Sequence, residues 1–196
     1  MAIDYDLSPG VHLPTALYES KEAIRWLRAH AAEYHVDPDR IAVAGSSAGG
    51  EIAALVAHTS GNPKFEGDGG SKEFPSTVKA AVIYNAALDL TAFPDNDKSI
   101  LSYIGTPCSA NKTACSEASP QFQVRVDMPP FYIGHGDMDQ DVPYSQFTAF
   151  VAAFKKANGR IVEFTAEKGP HTYWSKPQWF QPNAEATLNF LQKNLQ

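Results

Sequence analysis

Ile41-Ala42-Val43-Ala44-Gly45-Ser46-Ser47-Ala48-Gly49-Gly50 is the stretch on which the fold turns. Its first four residues are a continuous apolar run, the mark of a strand buried on both faces. Its next six are all Gly, Ser or Ala, as a tight corner requires. Ile52 to His58 then reads as a helix. Strand, corner and helix thus follow one another without a loop between them.

Working outward, Ile3–Leu7 alternates and stops at Ser8-Pro9-Gly10, which predicts a short strand and a turn. Thr15 to His35 has apolar residues at helical spacing (Leu17, Ile24, Leu27, Ala31, Tyr34) and predicts a helix. Downstream, Thr59 to Thr77 is a Gly- and Pro-rich loop and Val78–Tyr84 a second buried strand. Leu88–Gln123 is irregular apart from a short helix over Lys98–Ile104. Pro130–Gly134 is a strand, Tyr144–Ala157 an amphipathic helix, Ile161–Thr165 a strand, and Asn183–Leu195 a closing helix. This alternation predicts a single α/β domain over residues 1–196, with a mainly parallel sheet of about five strands and helices on both faces.

The 196 residues are 43% hydrophobic and 19% charged, an ordinary globular composition. The net charge is −6 and no Lys/Arg block offsets it, which argues against a nucleic-acid partner. No apolar run is long enough to span a membrane. The first residues lack the basic start and apolar stretch of a signal peptide. Cys108 and Cys115 lie seven apart with no histidine between them. They predict a local disulfide, hence an oxidising compartment, rather than a metal site.

Gly45-Ser46-Ser47-Ala48-Gly49 fits G-x-S-x-G. The pattern would arise by chance in about 7% of chains this long, so its setting between strand and helix carries the inference. That setting is a nucleophile elbow, with Ser47 at its tip and a helix N-terminus behind it to favour developing negative charge. A serine needs a base, and the base an orienting carboxylate; in this arrangement the chain order is Ser, acid, His. The loop after the third buried strand offers Asp137, Asp139 and Asp141, among which spacing does not choose. His171, after the next strand, is the only histidine beyond them and is the candidate base. His135 precedes the acids and reads as a loop-shaping residue. His30, His35 and His58 read as helix-face residues, and His12 has no evident partner.

These segments together resemble an α/β-hydrolase of the esterase/lipase group. The resemblance runs through Asp4–Pro9, Ala23–Leu27, Asp37–Gly50, Ala118-Ser119-Pro120, Pro129-Pro130-Phe131 and His135–Pro143, and closes at His171. It is to the hormone-sensitive-lipase-like esterases and to carbohydrate acetyl and feruloyl esterases. The family's H-G-x-x-D-x-x-V-P pattern falls on His135, Gly136, Asp139, Val142 and Pro143, so the resemblance selects Asp139 as the acid. It implies Ser47 as nucleophile, His171 as general base, the Ala48 backbone N–H as an oxyanion donor, and neither metal nor cofactor. There are departures: Asp6 stands where Arg is usual, Gly10 where Glu is common, and Ser46 where the lipase-like branch carries Asp. The His-Gly-Gly oxyanion loop and the first strands of the family have no counterpart, so the chain reads as the C-terminal two-thirds of the fold.

The resemblance implies a serine carboxylesterase acting on a small ester or an ester-decorated polysaccharide, with acetyl or feruloyl groups as candidates. Tyr173, Trp174 and Trp179 are candidates to line its pocket. Two other readings stand beside it: a prolyl-oligopeptidase-like peptidase, and a catalytically crippled form lacking part of the oxyanion hole. The cysteine pair favours a secreted or periplasmic protein over a cytoplasmic one. Without the family's early strands a sheet edge is left open, which predicts a homodimer through that edge.

Overall fold

The corner at Gly45–Gly50 joins two elements, strand β1 (Ala42–Ser46) and helix α2 (Ala48–Thr59). A computed structural model describes all 196 residues. Before the corner comes α1 (Thr15–Ala29). After it come β2 (Ala80–Tyr84), α3 (Lys98–Ile104), α4 (Lys112–Glu117), β3 (Phe131–Gly136), α5 (Ser145–Lys156), β4 (Ile161–Ala166) and α6 (Pro177–Asn194). The four strands lie side by side in sequence order, all parallel. With right-handed crossovers, that order places the connecting helices on one face.

Side-chain alternation sorts the core accordingly. Ala81, Ile83, Phe131 and Ile133 point to α2 and α5, where they meet Ala53, Ala54, Phe147, Phe150 and Phe154. Their neighbours Ala80, Val82 and Tyr132 point the other way, onto Phe190 of α6. Truncating a buried phenylalanine such as Phe150 to alanine would cost about 3–5 kcal/mol. α1 packs Leu17 and Ile24 against Ile52, Leu55 and Val56 of α2. Helices therefore cover both faces, unevenly, with α6 alone on the second. His58, at the end of α2, is buried among Phe131, Phe150 and Phe154, and burial pushes its pKa down to about 3.

Several expectations need correction. Ile3–Leu7 is irregular rather than a strand, so the sheet has four strands and not five. Alternation alone does not make a strand where no neighbouring strand pairs with it. β1 is consequently an edge. Its residues are half-buried, with Ala44 exposed, despite the apolar run that predicted burial on both faces. The first helix ends at Ala29, and turns carry the chain to His35. The last helix starts at Pro177, six residues earlier than expected, and accommodates Pro182 near its solvent-facing start. α4, inside the stretch read as irregular, is capped by the Asn111 side chain accepting from the Ala114 N–H at 3.1 Å. Cys108 and Cys115 are disulfide-bonded. No helix is long and apolar enough to cross a membrane.

Candidate active site

Ser47 sits between β1 and α2 with φ 54° and ψ −124°, a left-handed backbone that a non-glycine residue adopts only when its surroundings impose it. The surroundings are specific. The Ser47 N–H donates to the Tyr84 carbonyl at the end of β2, at 2.9 Å. The Asn85 side-chain amide donates to Ser46 Oγ at 3.1 Å. A side chain at Gly45 would run into the backbone of Gly49, so the corner can close this tightly only with glycine there. Ala48 opens α2, so its N–H has no carbonyl within the helix to reach.

The loops after β3 and β4 supply the remaining groups. They are neighbours because their strands are, and the Met138 N–H donates to the Gly169 carbonyl at 3.1 Å to lace them together. Of the three carboxylates in the first loop, Asp137 and Asp141 are exposed and Asp139 is buried. Asp139 Oδ1 accepts from the backbone N–H groups of Asp141 and Val142, both at 2.9 Å. Its Oδ2 lies 2.7 Å from His171 Nδ1, which must carry the proton because a carboxylate only accepts. His171 Nε2 is left free to accept, and lies 2.9 Å from Ser47 Oγ. The structure thus brings Ser47, His171 and Asp139 into one hydrogen-bonded line.

Burial alone would raise the Asp139 pKa, but hydrogen bonds from His135, His171, Val142 and Asp141 hold the carboxyl well below the usual range. The bond to Asp139 in turn raises the His171 pKa against the opposing effect of burial. His135 has the loop-shaping place its position suggested: its Nε2 lies 3.0 Å from the Val142 carbonyl and 3.2 Å from Asp139 Oδ2. The ligating atoms of Asp139, Asp141 and His171 fall within 4.8 Å of one another. Asp139 spends its oxygens on His171 Nδ1 and on the Asp141 and Val142 N–H groups, and His171 Nε2 faces Ser47 Oγ.

A cleft of about 490 Å³ opens beside Ser47 and Ala48. Its apolar wall is Ala87, Leu90, Phe93, Ile100 and Val142; its polar corner is Glu51, Tyr103, Ser8 and Ser102. The aromatic residues expected to line it do not. Tyr173 is wholly buried, its ring stacked on Phe164 and its hydroxyl 3.3 Å from Asn183 Oδ1. Trp174 faces a separate crevice against α6, and Trp179 lies on α6 itself, away from the cleft. Sequence reasoning missed the cleft because its wall comes from residues 87–103, where only one short helix could be read.

Residues 1–154 match the BD-FAE family. The chain belongs to that family. It has the α/β-hydrolase fold of esterase structures. Among curated relatives, it is 33% identical over 170 residues to "Probable carboxylic ester hydrolase LipM" of Mycobacterium tuberculosis, covering 84% of this chain and 39% of that protein. Among solved structures, esterase 2 of Thermogutta terrifontis superposes with a TM-score of 0.81 at 29% identity, over 97% of this chain and 69% of that one. A truncated carbohydrate esterase from gut microbiota superposes with a TM-score of 0.89 over 98% of this chain and 73% of that one, at 24% identity. The chain therefore spans about two-fifths of the length of LipM.

Proposed function

We propose that this BD-FAE chain is a serine carboxylesterase in which Ser47 is the nucleophile, His171 the general base and then acid, and Asp139 the orienting carboxylate. The observation that carries the proposal is the unbroken line of contacts, 2.9 Å from Ser47 Oγ to His171 Nε2 and 2.7 Å from His171 Nδ1 to Asp139. His171 Nε2 takes the serine proton as Oγ attacks the ester carbonyl, and the Ala48 N–H faces the developing oxyanion. His171 then returns the proton to the leaving alcohol as the C–O bond breaks. Water, deprotonated by His171, cleaves the acyl-enzyme, and Ser47 regains its proton.

The cleft suits a small acyl or aryl ester, with acetyl or feruloyl esters on plant polysaccharide as the substrate class. Ester hydrolysis rather than peptide hydrolysis is supported by relatives named as esterases. The Cys108–Cys115 bond supports an oxidising, secreted or periplasmic location. The test is hydrolysis of p-nitrophenyl acetate by the wild-type chain and by Ser47→Ala. We expect turnover by the former and a loss of roughly 10⁴-fold or more in the latter. Equal rates in the two proteins would sink the assignment.

A further inference from the structure

α2 holds a single acidic residue, Glu51, in a helix otherwise made of small and apolar side chains apart from His58 and Thr59. Glu51 lies one turn beyond Ser47, its N–H donating to the Ser47 carbonyl at 3.0 Å, and the two residues line the same cleft. Only 2% of it is exposed, yet it forms part of the wall of the cleft beside Ser47. Its Oε2 accepts from the Tyr103 hydroxyl at 2.9 Å. Its Oε1 has no hydrogen-bond partner in the protein. No cation pairs with it, and burial raises its pKa well above the usual carboxylate range, while its free oxygen can accept a hydrogen bond.

A tie between α2 and α3 would need only one of the two oxygens. The other is a buried polar atom left unsatisfied, a costly arrangement unless something entering the cleft completes it. The charged groups at the rim are engaged elsewhere or exposed. Asp97 caps α3 through the Ser99 and Ile100 N–H groups, and Lys98 and Asp141 are exposed. The wall of Ala87, Leu90, Phe93, Ile100 and Val142 is apolar and suits a carbon skeleton.

We propose that Glu51, held by Tyr103, is a specificity residue that hydrogen-bonds a hydroxyl group of the substrate, so that the cleft selects hydroxyl-bearing esters over their deoxy counterparts. The hydroxyl can belong to the acyl part, as in a hydroxyaryl ester, or to the alcohol part, as in a partly acylated polyol; the chemistry at Glu51 is the same. The inference deepens the esterase reading and rests on it for the meaning of the cleft.

The test measures binding rather than turnover, in a Ser47→Ala background. Affinities are taken by NMR titration for two matched pairs: methyl 4-hydroxybenzoate against methyl benzoate, and glycerol monoacetate against propyl acetate. We expect about tenfold tighter binding of the hydroxylated member in one pair, which identifies the acyl or the alcohol side. Glu51→Gln, which keeps an acceptor oxygen in a side chain of the same shape, should retain the preference, and Glu51→Met should bring the ratio to about one. If Glu51→Met does not fold, Tyr103→Phe takes its place, because an unanchored carboxyl should lose most of the preference. Equal affinities in both pairs, or a preference that survives Glu51→Met or Tyr103→Phe, would overturn the proposal. Because these variants need no catalysis, an intact preference alongside an inactive wild-type chain would sink the esterase reading alone.

Discussion

Asp139 is buried beside an imidazole and two backbone N–H donors, and its carboxyl stays ionised through those hydrogen bonds. In the proposed mechanism its effect reaches the reaction through His171, whose pKa it raises above the ordinary 6.5. A general base must be neutral, so kcat/KM should climb as pH rises through that raised value. Asp139→Asn removes the charge that stabilises imidazolium and reverses the hydrogen-bond preference at Nδ1. We expect kcat to fall by about 10⁴-fold, with the acidic limb of any residual activity moved to lower pH, read from a pH–rate profile. The same group bears on stability. A carboxyl whose folded pKa is depressed contributes stability above its unfolded value, and that contribution fades as pH falls toward the folded one. At this scale the sequence was uneven. Ser47 stood out because strand, corner and helix are contiguous, and His171 because it alone followed the acids. Three carboxylates within five residues left Asp139 to be picked by resemblance, since burial, which separates them, depends on strands far apart in the chain. Glu51 carried no signal, because its partner Tyr103 lies 52 residues away.

The elements that shape the cleft were harder to read than those that hold the triad candidates. β2, β3 and α5 announced themselves through long apolar patterns. α3 and α4 are short, and their stability comes from capping and cross-linking rather than periodicity. Asp97 caps α3, Asn111 caps α4, and the Cys108–Cys115 bond joins the segments into a small cluster with Leu90, Ile100, Ile104 and Ala118. Leu90 and Ile100 also line the cleft, so the cross-link buttresses a wall of the site. Closing so short a loop restricts the unfolded chain modestly. We expect reduction, or Cys115→Ser, to cost roughly 2–3 kcal/mol in urea unfolding. KM for p-nitrophenyl acetate should rise while kcat changes less, because Ser47, His171 and Asp139 are held by other elements. A cluster that kept its stability and KM on reduction would show that the apolar contacts alone hold the wall.

At the scale of the molecule, the asymmetry of the sheet matters most. The sequence predicted an open edge, with Ile3–Leu7 either paired to the strand of Ile41–Ala44 or separated from it by a gap. That segment does not pair, and the edge is β1 itself. Along it runs a groove lined by Ile3, Tyr5, Ile24, Leu27, Val43 and Ile52, beside strand groups that hydrogen-bond to β2 on one side only. A row of unpaired backbone donors and acceptors next to apolar surface is a template for another strand. The homodimer expected from sequence would form here: two copies of β1 meeting edge to edge would satisfy both rows and cover both grooves. Sedimentation velocity over a range of concentrations should show reversible association of the wild-type chain. Ala44 is exposed on β1, and a lysine there would bring a charge to the edge without disturbing the core. Ala44→Lys should hold the protein monomeric at concentrations where the wild type associates, with the rate toward p-nitrophenyl acetate retained, since Ser47 projects from the end of the strand and not from its edge. A wild-type chain that stays monomeric throughout would mean that Met1, Ala2, Ile3 and Tyr5, which wall the groove, shield the edge enough.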